Sequence, residues 1–408
     1  MRNFWKSVGA VLSGTAMAQA IPILASLLIA REYLPAQFGV YVTWLGLVAI
    51  AAIIVTARFE TAFAIMDDGE PRRLAVVFTL ATMVLALVGL IVLESVFYLV
   101  RPHWLKVTDP WLFILAVPAV AFAAMAQVWQ TWAATEGLYR QLSIMRIFQA
   151  TSIVTLQVAA GIFFPSAAML ACAYVMGVAI GLGVCFRMLP LGALPANTAA
   201  GLRHFWKRYN RFPLYSLPAD AINTTAGQLP ILVIATRFGP EVTGLVALTM
   251  RTLGAPISLL GSSVLDVFKR QAAASFRARG DCRRDYLQTL WVLAAGSIAM
   301  CIVLLFSSQY LFAFAFGERW RAAGTIAIWL LPMFAMRFVA SPLSYMVYIV
   351  EKQHVDLIWQ IFLLGMTVLT LNIPGDYSVV LRSYAWGYTL LYVAYLMVSY
   401  RFSLGDKK

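Results

Sequence analysis

Two arginines, Arg251 and Arg337, each stand near the middle of an apolar stretch long enough to cross a membrane. A guanidinium in hydrocarbon costs at least roughly 2.5 to 3.5 kcal/mol, so such residues are expected to face a polar interior. Arg337 lies about 13 residues, roughly 20 Å, from either end of its stretch, too deep for its side chain to snorkel out to headgroups. Side chains three, four or seven residues apart share a helix face, and polar residues recur at that spacing near both arginines. One stripe holds Arg251, Ser258 and Ser262, another Arg337, Ser341, Ser344, Tyr345 and Tyr348, and a third Asp220, Asn223, Thr224, Gly227 and Gln228. Two more hold Gln127, Gln130 and Thr131, then Arg146, Gln149 and Ser152. Together they could line a water-accessible cavity whose arginines, not matched by an equal number of acids, favour an anion, with phosphate oxygens suited to the guanidinium fork. The amides and hydroxyls, with Trp129, Trp132, Tyr215, Tyr345 and Tyr348, would suit a sugar, and a lipid-linked saccharide carrying a pyrophosphate meets both requirements. Competing explanations stand beside this one. Ser, Thr, Gln and Asn also join helices to each other, Asp220 could serve as counter-charge to Arg251, and Arg58 and Arg146 lie near enough to the inner face to snorkel.

The elements that must position these residues are membrane-spanning helices. The chain of 408 residues is 62% hydrophobic and only 12% charged, with mean hydropathy +0.80, far from the quarter of charged residues usual in soluble domains. Apolar stretches at 8–30, 38–57, 74–100, 111–135, 144–164, 167–189, 212–235, 242–265, 287–306, 324–350, 357–371 and 383–400 predict about 12 transmembrane helices, most of them meeting the requirement of about 20 residues per span. The net charge of +13 would suggest nucleic acid in a soluble protein. Here its distribution says otherwise: with the N-terminus inside, inner segments carry 20 of the 31 Lys and Arg and outer ones seven, among them Arg101, Lys106 and Arg382. This bias predicts a multi-pass protein with both termini in the cytoplasm and no nucleic-acid partner. The first span is longer than a signal-peptide core and is expected to be retained. The four cysteines show no CxxC spacing, and neither a disulfide framework nor a zinc site is expected.

The connection 190–211, rich in Pro, Gly and Ala and then basic at Arg203, His204, Lys207, Arg208 and Arg211, is the longest and divides the spans six and six. The expected organisation is a bundle over 1–189, a cytoplasmic linker over 190–211 and a second bundle over 212–408. The halves resemble each other at offsets near 205 to 215 residues: Gln19, Pro22, Arg31 and Gly39 against Gln228, Pro230, Arg237 and Gly244, and Pro118 with Glu136 against Pro332 with Glu351. Six spans per half make these parallel repeats, an all-α architecture of two pseudo-repeated bundles around a central cavity. The basic run 267–284 reads as a charged inner loop, with a surface helix as the alternative.

Several patches resemble the bacterial polysaccharide biosynthesis family, the O-antigen and exopolysaccharide flippases. They are Ser13-Gly14-Thr15 through Gln19 and Pro22, Tyr33-Leu34-Pro35, Phe38-Gly39-Val40-Tyr41, Arg58-Phe59-Glu60, Phe212-Pro213-Leu214-Tyr215-Ser216, Gln228-Leu229-Pro230, Arg251 with Pro256, and Phe316-Gly317-Glu318-Arg319-Trp320. The family belongs to the multidrug, oligosaccharidyl-lipid and polysaccharide exporter superfamily. The resemblance implies a non-enzymatic transporter in the bacterial inner membrane that flips undecaprenyl-pyrophosphate-linked oligosaccharide for surface polysaccharide synthesis. It also implies a cationic central cavity. On this reading Arg251, Arg337, Arg146, Asp220, Asn223, Gln228, Ser341 and Tyr345 are the candidate substrate contacts. No cofactor is expected, with coupling to H+ or Na+ left open. The partners expected are the lipid-linked oligosaccharide and membrane lipids, with a polysaccharide polymerase and a chain-length regulator as protein candidates. A polytopic glycosyltransferase or O-antigen polymerase is the rival from another class, but such an enzyme generally needs a sizeable extramembrane loop or poised carboxylates. His103, His204 and His354 are scattered without ligand spacing. A cation-coupled drug exporter is the rival within the superfamily, and there deep acids should dominate.

The orientation is directly testable. In a chain whose native cysteines are replaced, Lys207→Cys and Arg279→Cys are expected to resist impermeant thiol reagents in intact cells, while Lys106→Cys is labelled. The reverse pattern would invert the topology.

Overall fold

The computed structural model describes residues 21, 24–66, 69–100, 109–185 and 198–405. The expected first span as far as residue 20, Pro22, Arg101, Lys106, the 190–197 part of the linker and the side chains of Pro256, Ser258 and Ser262 lie outside the described residues. What is described is helical throughout: α1 (24–32), α2 (Pro35–Thr56), α3 (Glu70–Val100), α4 (Pro110–Thr135), α5 (Tyr139–Phe163), α6 (Ala167–Cys185), α7 (Thr198–Tyr209), α8 (Leu217–Arg279), α9 (Arg283–Phe316), α10 (Arg321–Leu343), α11 (Met346–Ile349), α12 (Gln353–Leu371) and α13 (Tyr377–Ser403). Among the described residues nine helical segments are long and apolar enough to span a bilayer, and α13 is long enough but less apolar. The chain is an all-α polytopic membrane protein, because in hydrocarbon a helix satisfies its own backbone hydrogen bonds.

Two of the expected spans, 212–235 and 242–265, are arms of the single element α8, interrupted only at Gly239, whose φ of 81° and ψ of 177° suit glycine. The second arm runs on to Arg279, so the basic run 267–284, read as an inner loop, is helical for most of its length. Phe268 is buried there and meets Tyr286 edge-on at 6.2 Å. An apolar side chain that can dock is what keeps this charged segment from melting into a loop.

The chain forms two compact units, Met1–Leu232 and Val233–Lys408. In the first, α5 and α6 approach closely through Gly177 and Gly181. A Cβ at Gly177 would stand 2.5 Å from the Ile153 side chain, and one at Gly181 2.7 Å from Gln149. Small residues four apart let two backbones touch where there is no hydrophobic drive between helices. Hydrogen bonds supply the rest: buried Gln157 donates to the Tyr41 hydroxyl at 2.9 Å, Tyr33 donates to the Gln157 carbonyl at 2.8 Å, and Trp44 Nε1 donates to the Leu112 carbonyl at 2.9 Å. The core of this unit gathers Phe59, Phe63, Phe78, Trp129, Trp132 and Phe205.

In the second unit α10 is the central helix, buried at Leu330, Phe334 and Ala340. Ser297 and Ser308 of α9 donate to the Ala335 and Gly324 carbonyls of α10 at 3.1 and 3.0 Å, and Thr249 of α8 donates to Ala323 at 3.0 Å. Arg237 caps the loop after α12, its guanidinium donating to the Leu371 and Ile373 carbonyls and lying over Phe238 at 5.0 Å. At the other end the turn before α9 is tied down by Cys282, whose N–H donates to the Ser403 carbonyl at 2.9 Å. Burial and the nearby Asp285 and Asp281 push its thiol up to about 11. Trp291, Ile302, Phe306 and Phe314 of α9 stay exposed, the surface a helix presents to lipid.

Gly177→Val should lower the melting temperature of the detergent-purified protein through about 1 to 3 kcal/mol of overpacking. Gly183→Ala, where a Cβ meets nothing within 4 Å, should not. Equal effects would show that the α5 and α6 contact is not the close one described.

Candidate functional site

In the first unit, α2 ends abruptly at Thr56, and the chain turns through two left-handed residues, Ala57 (φ 49°) and Arg58 (φ 58°), into a 3₁₀ turn over Phe59–Ile65. Consecutive non-glycine residues in this region carry strain and persist only where their surroundings hold them. Here the Thr56 hydroxyl accepts from the Arg58 N–H at 3.3 Å, and the Thr61 hydroxyl donates to the Arg58 carbonyl at 2.6 Å. The corner aims the Arg58 guanidinium at two carboxylates. Its Nε donates to Asp220 Oδ2 at 2.6 Å and a terminal nitrogen donates to Glu60 Oε1 at 3.1 Å, where Gln127 of α4 also donates at 2.8 Å. Glu60 is completely buried, and among the described residues its second oxygen has no hydrogen-bond partner. Burial pushes its carboxyl above the usual range, partly offset by a backbone hydrogen bond and by Arg58. The turn is clamped from its other side by buried Arg72 of α3, which donates to the Phe63 and Met66 carbonyls at 3.1 and 2.9 Å and to Glu136 at 2.9 Å.

This cluster corrects two readings. Arg58, expected to reach headgroups, is ion-paired within the protein. Asp220, weighed as a counter-charge for Arg251, pairs with Arg58. Glu60, not among the candidate contacts, is the most deeply buried acid of the network. The signal that could have found them was the Arg58-Phe59-Glu60 run directly after an apolar span, where two opposite charges flank a buried aromatic.

Beside this network a cavity of about 420 Å³ opens between α4, α5 and α6, lined by Gln127, Gln130, Thr131, Arg146, Gln149 and Tyr174 among others. Arg146 Nε donates to Gln130 Oε1 at 3.2 Å, and both side chains line the cavity. Two of the stripes seen in the sequence meet here, and Gln127 belongs to both the cavity and the Glu60 network. Of the α8 stripe, Asp220 and Gln228 lie on the side facing α2, where Gln228 Oε1 would be 3.1 Å from a Cβ at Gly46, whereas Asn223 is exposed.

In the second unit Arg337 is exposed on α10, in line with exposed Ser341 one turn on, and makes no hydrogen bond or ion pair among the described residues. The buried Tyr384 and Tyr392 of α13 lie within electrostatic reach of it. Arg251 is half-buried and has an interaction of its own. Tyr345, just past the end of α10, stacks on Tyr348 at 5.4 Å and carries the Lys269 ammonium over its ring at 4.6 Å. Tyr348 in turn donates to Asp356, which also accepts from Tyr395 and Gln360. Among the described residues no three His, Cys, Asp or Glu side chains converge as a metal site.

A family model described as polysaccharide biosynthesis protein matches residues 28–325. Among solved structures, the lipid II flippase MurJ in an inward closed conformation is similar with a TM-score of 0.74 at 12% identity, over 96% of this chain and 87% of that one. An inward-facing multidrug resistance MATE family transporter of the MOP superfamily has a TM-score of 0.63 at 14% identity, over 94% of both chains. A MOP superfamily transporter from Pyrococcus furiosus has 0.57 at 14%, over 98% of this chain and 96% of that one. At such identities the likeness shows the fold alone. A search among curated proteins finds no match.

Arg58→Ala strips the buried Glu60 of its cation and is expected to cost about 3 kcal/mol. Adding Glu60→Gln should return much of it, whereas Asp220→Asn, at a more exposed carboxylate, should cost about 1 kcal/mol or less. Thermal unfolding of the parent, Arg58→Ala, Glu60→Gln, the double variant and Asp220→Asn in detergent decides this, and additive losses in the double variant would dissolve the pair.

Proposed function

The chain belongs to the polysaccharide biosynthesis protein family, and from that premise we propose that it flips a lipid-linked oligosaccharide across the membrane it spans. Its fold is that of the MOP-superfamily transporters. The observation that carries the finer reading is the cavity of α4, α5 and α6. One guanidinium, three side-chain amides, a threonine and a tyrosine line a space of about 420 Å³. Amides and hydroxyls exchange hydrogen bonds with sugar hydroxyls as water does, so a glycan headgroup can leave solvent without leaving groups unpaired. Arg146 adds charge for a phosphate or an acidic sugar, and Arg337, exposed in mid-helix and making no ion pair among the described residues, adds a second cation in the other unit. The same charges argue against a cationic drug, which Arg146 and Arg337 would repel.

The task suits this chemistry. A glycan on a pyrophosphate is too polar to cross hydrocarbon, while its lipid tail need not leave it. The protein offers polar contacts to the headgroup on alternate sides of the membrane, and no covalent step is needed. In this reading it works in a bacterial inner membrane with both termini in the cytoplasm. It carries headgroups outward, coupled to H+ or Na+, and hands its substrate to a polymerase and chain-length regulator. Arg251, Arg337, Arg146, Asn223, Gln228, Ser341 and Tyr345 remain candidate contacts. Asp220 acts through Arg58.

Deleting the gene should abolish surface polysaccharide and accumulate its lipid-linked unit on the cytoplasmic leaflet. Arg146→Ala and Arg337→Ala should each reduce export roughly tenfold or more at normal membrane levels, with Lys restoring only part because it lacks the fork. Accumulation on the periplasmic leaflet would favour the polymerase instead, and normal export by Arg337→Leu would remove that residue from the site.

A further inference from the structure

The stretch from Gly137 to Ala219 contains no Asp or Glu. Within it α7 is amphipathic in a specific way. Phe205 is buried, its ring 5.0 Å from Phe59 and 5.5 Å from Phe78, and continues into Tyr209 at 5.2 Å. Trp206 packs on Phe59 at 5.1 Å and donates to the Thr82 hydroxyl at 3.1 Å, yet stays 40% exposed. Gly201 lets the helix lie flat on α3, since a Cβ there would stand 2.7 Å from the Phe78 ring. Outside that contact α7 carries Arg203, His204, Lys207 and Arg208, all exposed, with exposed Arg211 just beyond. At 100° per residue, Arg203 and Lys207 fall opposite Phe205, and His204 and Arg208 form the adjacent row. Exposed Leu214 and Tyr215 follow directly.

A helix pinned to the first unit by aromatics, with Lys and Arg rows outward and apolar or aromatic side chains at its flank, has the composition of an interfacial helix on an anionic bilayer. Juxtamembrane basic clusters gain from such a surface, and the gain falls off within a Debye length. We propose that the basic face of α7 binds the anionic phospholipid headgroups of the membrane the chain spans. Because Phe205 and Trp206 clasp Phe59, between Arg58 and Glu60, the bound headgroups brace the turn that holds the ion-pair network. The occupant is lipid because this face adjoins the spans themselves and its exposed Trp206, Leu214 and Tyr215 would sit at headgroup depth.

The test uses full-length protein with native cysteines replaced and a dye on Asn210→Cys, reconstituted into mixed phosphatidylglycerol and phosphatidylcholine vesicles. Bromine is placed on one lipid or the other at equal fractions. Brominated phosphatidylglycerol should quench the dye at least about twofold more than brominated phosphatidylcholine, and high salt should erase the difference. The combined Arg203→Gln, Lys207→Gln, Arg208→Gln protein should show no preference, while Phe205→Ala, which keeps the charges, should retain it. Equal quenching in the parent protein, or a preference that survives the triple change, would overturn the proposal. Since the readout does not involve transport, it stands or falls apart from the flippase reading.

Discussion

A buried carboxylate must be given a cation, and the pairing of Glu60 with half-buried Arg58 is where this chain meets that demand. The bonds of Arg58 to Asp220 and Glu60 hold the left-handed corner after α2 and the 3₁₀ turn beyond it, and they bind the start of α8 to the first unit. Remove the cation and the buried Glu60 has nothing to offset its desolvation. The aromatic core around Phe59 and Phe63, the Arg72 clamp and the seating of α7 all depend on that turn keeping its shape.

The remaining arginines can be understood by contrast with Arg58. Arg72 and Arg237 donate to backbone carbonyls at loop ends, Arg72 also to Glu136, and are structural. Arg146 donates to one amide and lines a cavity. Arg337 stands exposed in mid-helix, near buried tyrosines and, among the described residues, without a carboxylate partner. A membrane protein neutralises the charges it needs only for architecture. Those it leaves accessible in a polar setting are the ones able to exchange partners with a passing anion. The proposed transport of a phosphorylated headgroup rests on this division more than on the count of positive charges.

The polar face of each unit is also economical in kind. Gln127 serves both the Glu60 network and the cavity, so the cavity wall and the ion pairs share a side chain. Coupling through such a shared hydrogen bond needs no long pathway, because one amide cannot fully satisfy two partners that both change.

Much of this was legible in the sequence because hydrocarbon imposes one rule on every span. Apolar runs of about 20 residues had to be helices, and polar side chains at helical spacing had to share a face. That is why the spans, and the stripes meeting at Arg146 and Gln130, could be read before any coordinates. The linkers were less legible, since basic residues look alike in a loop and on a helix. Phe205 and Phe268 make 198–209 and 267–279 helical by docking against partners distant in sequence. Pair identity was decided only in three dimensions. Asp220 stands 31 residues before Arg251 and 162 after Arg58, and composition counts the acid the same whichever cation it meets. The left-handed corner at Ala57 and Arg58 settles the choice, for a helix period specifies which face a side chain occupies but not which other helix that face will meet.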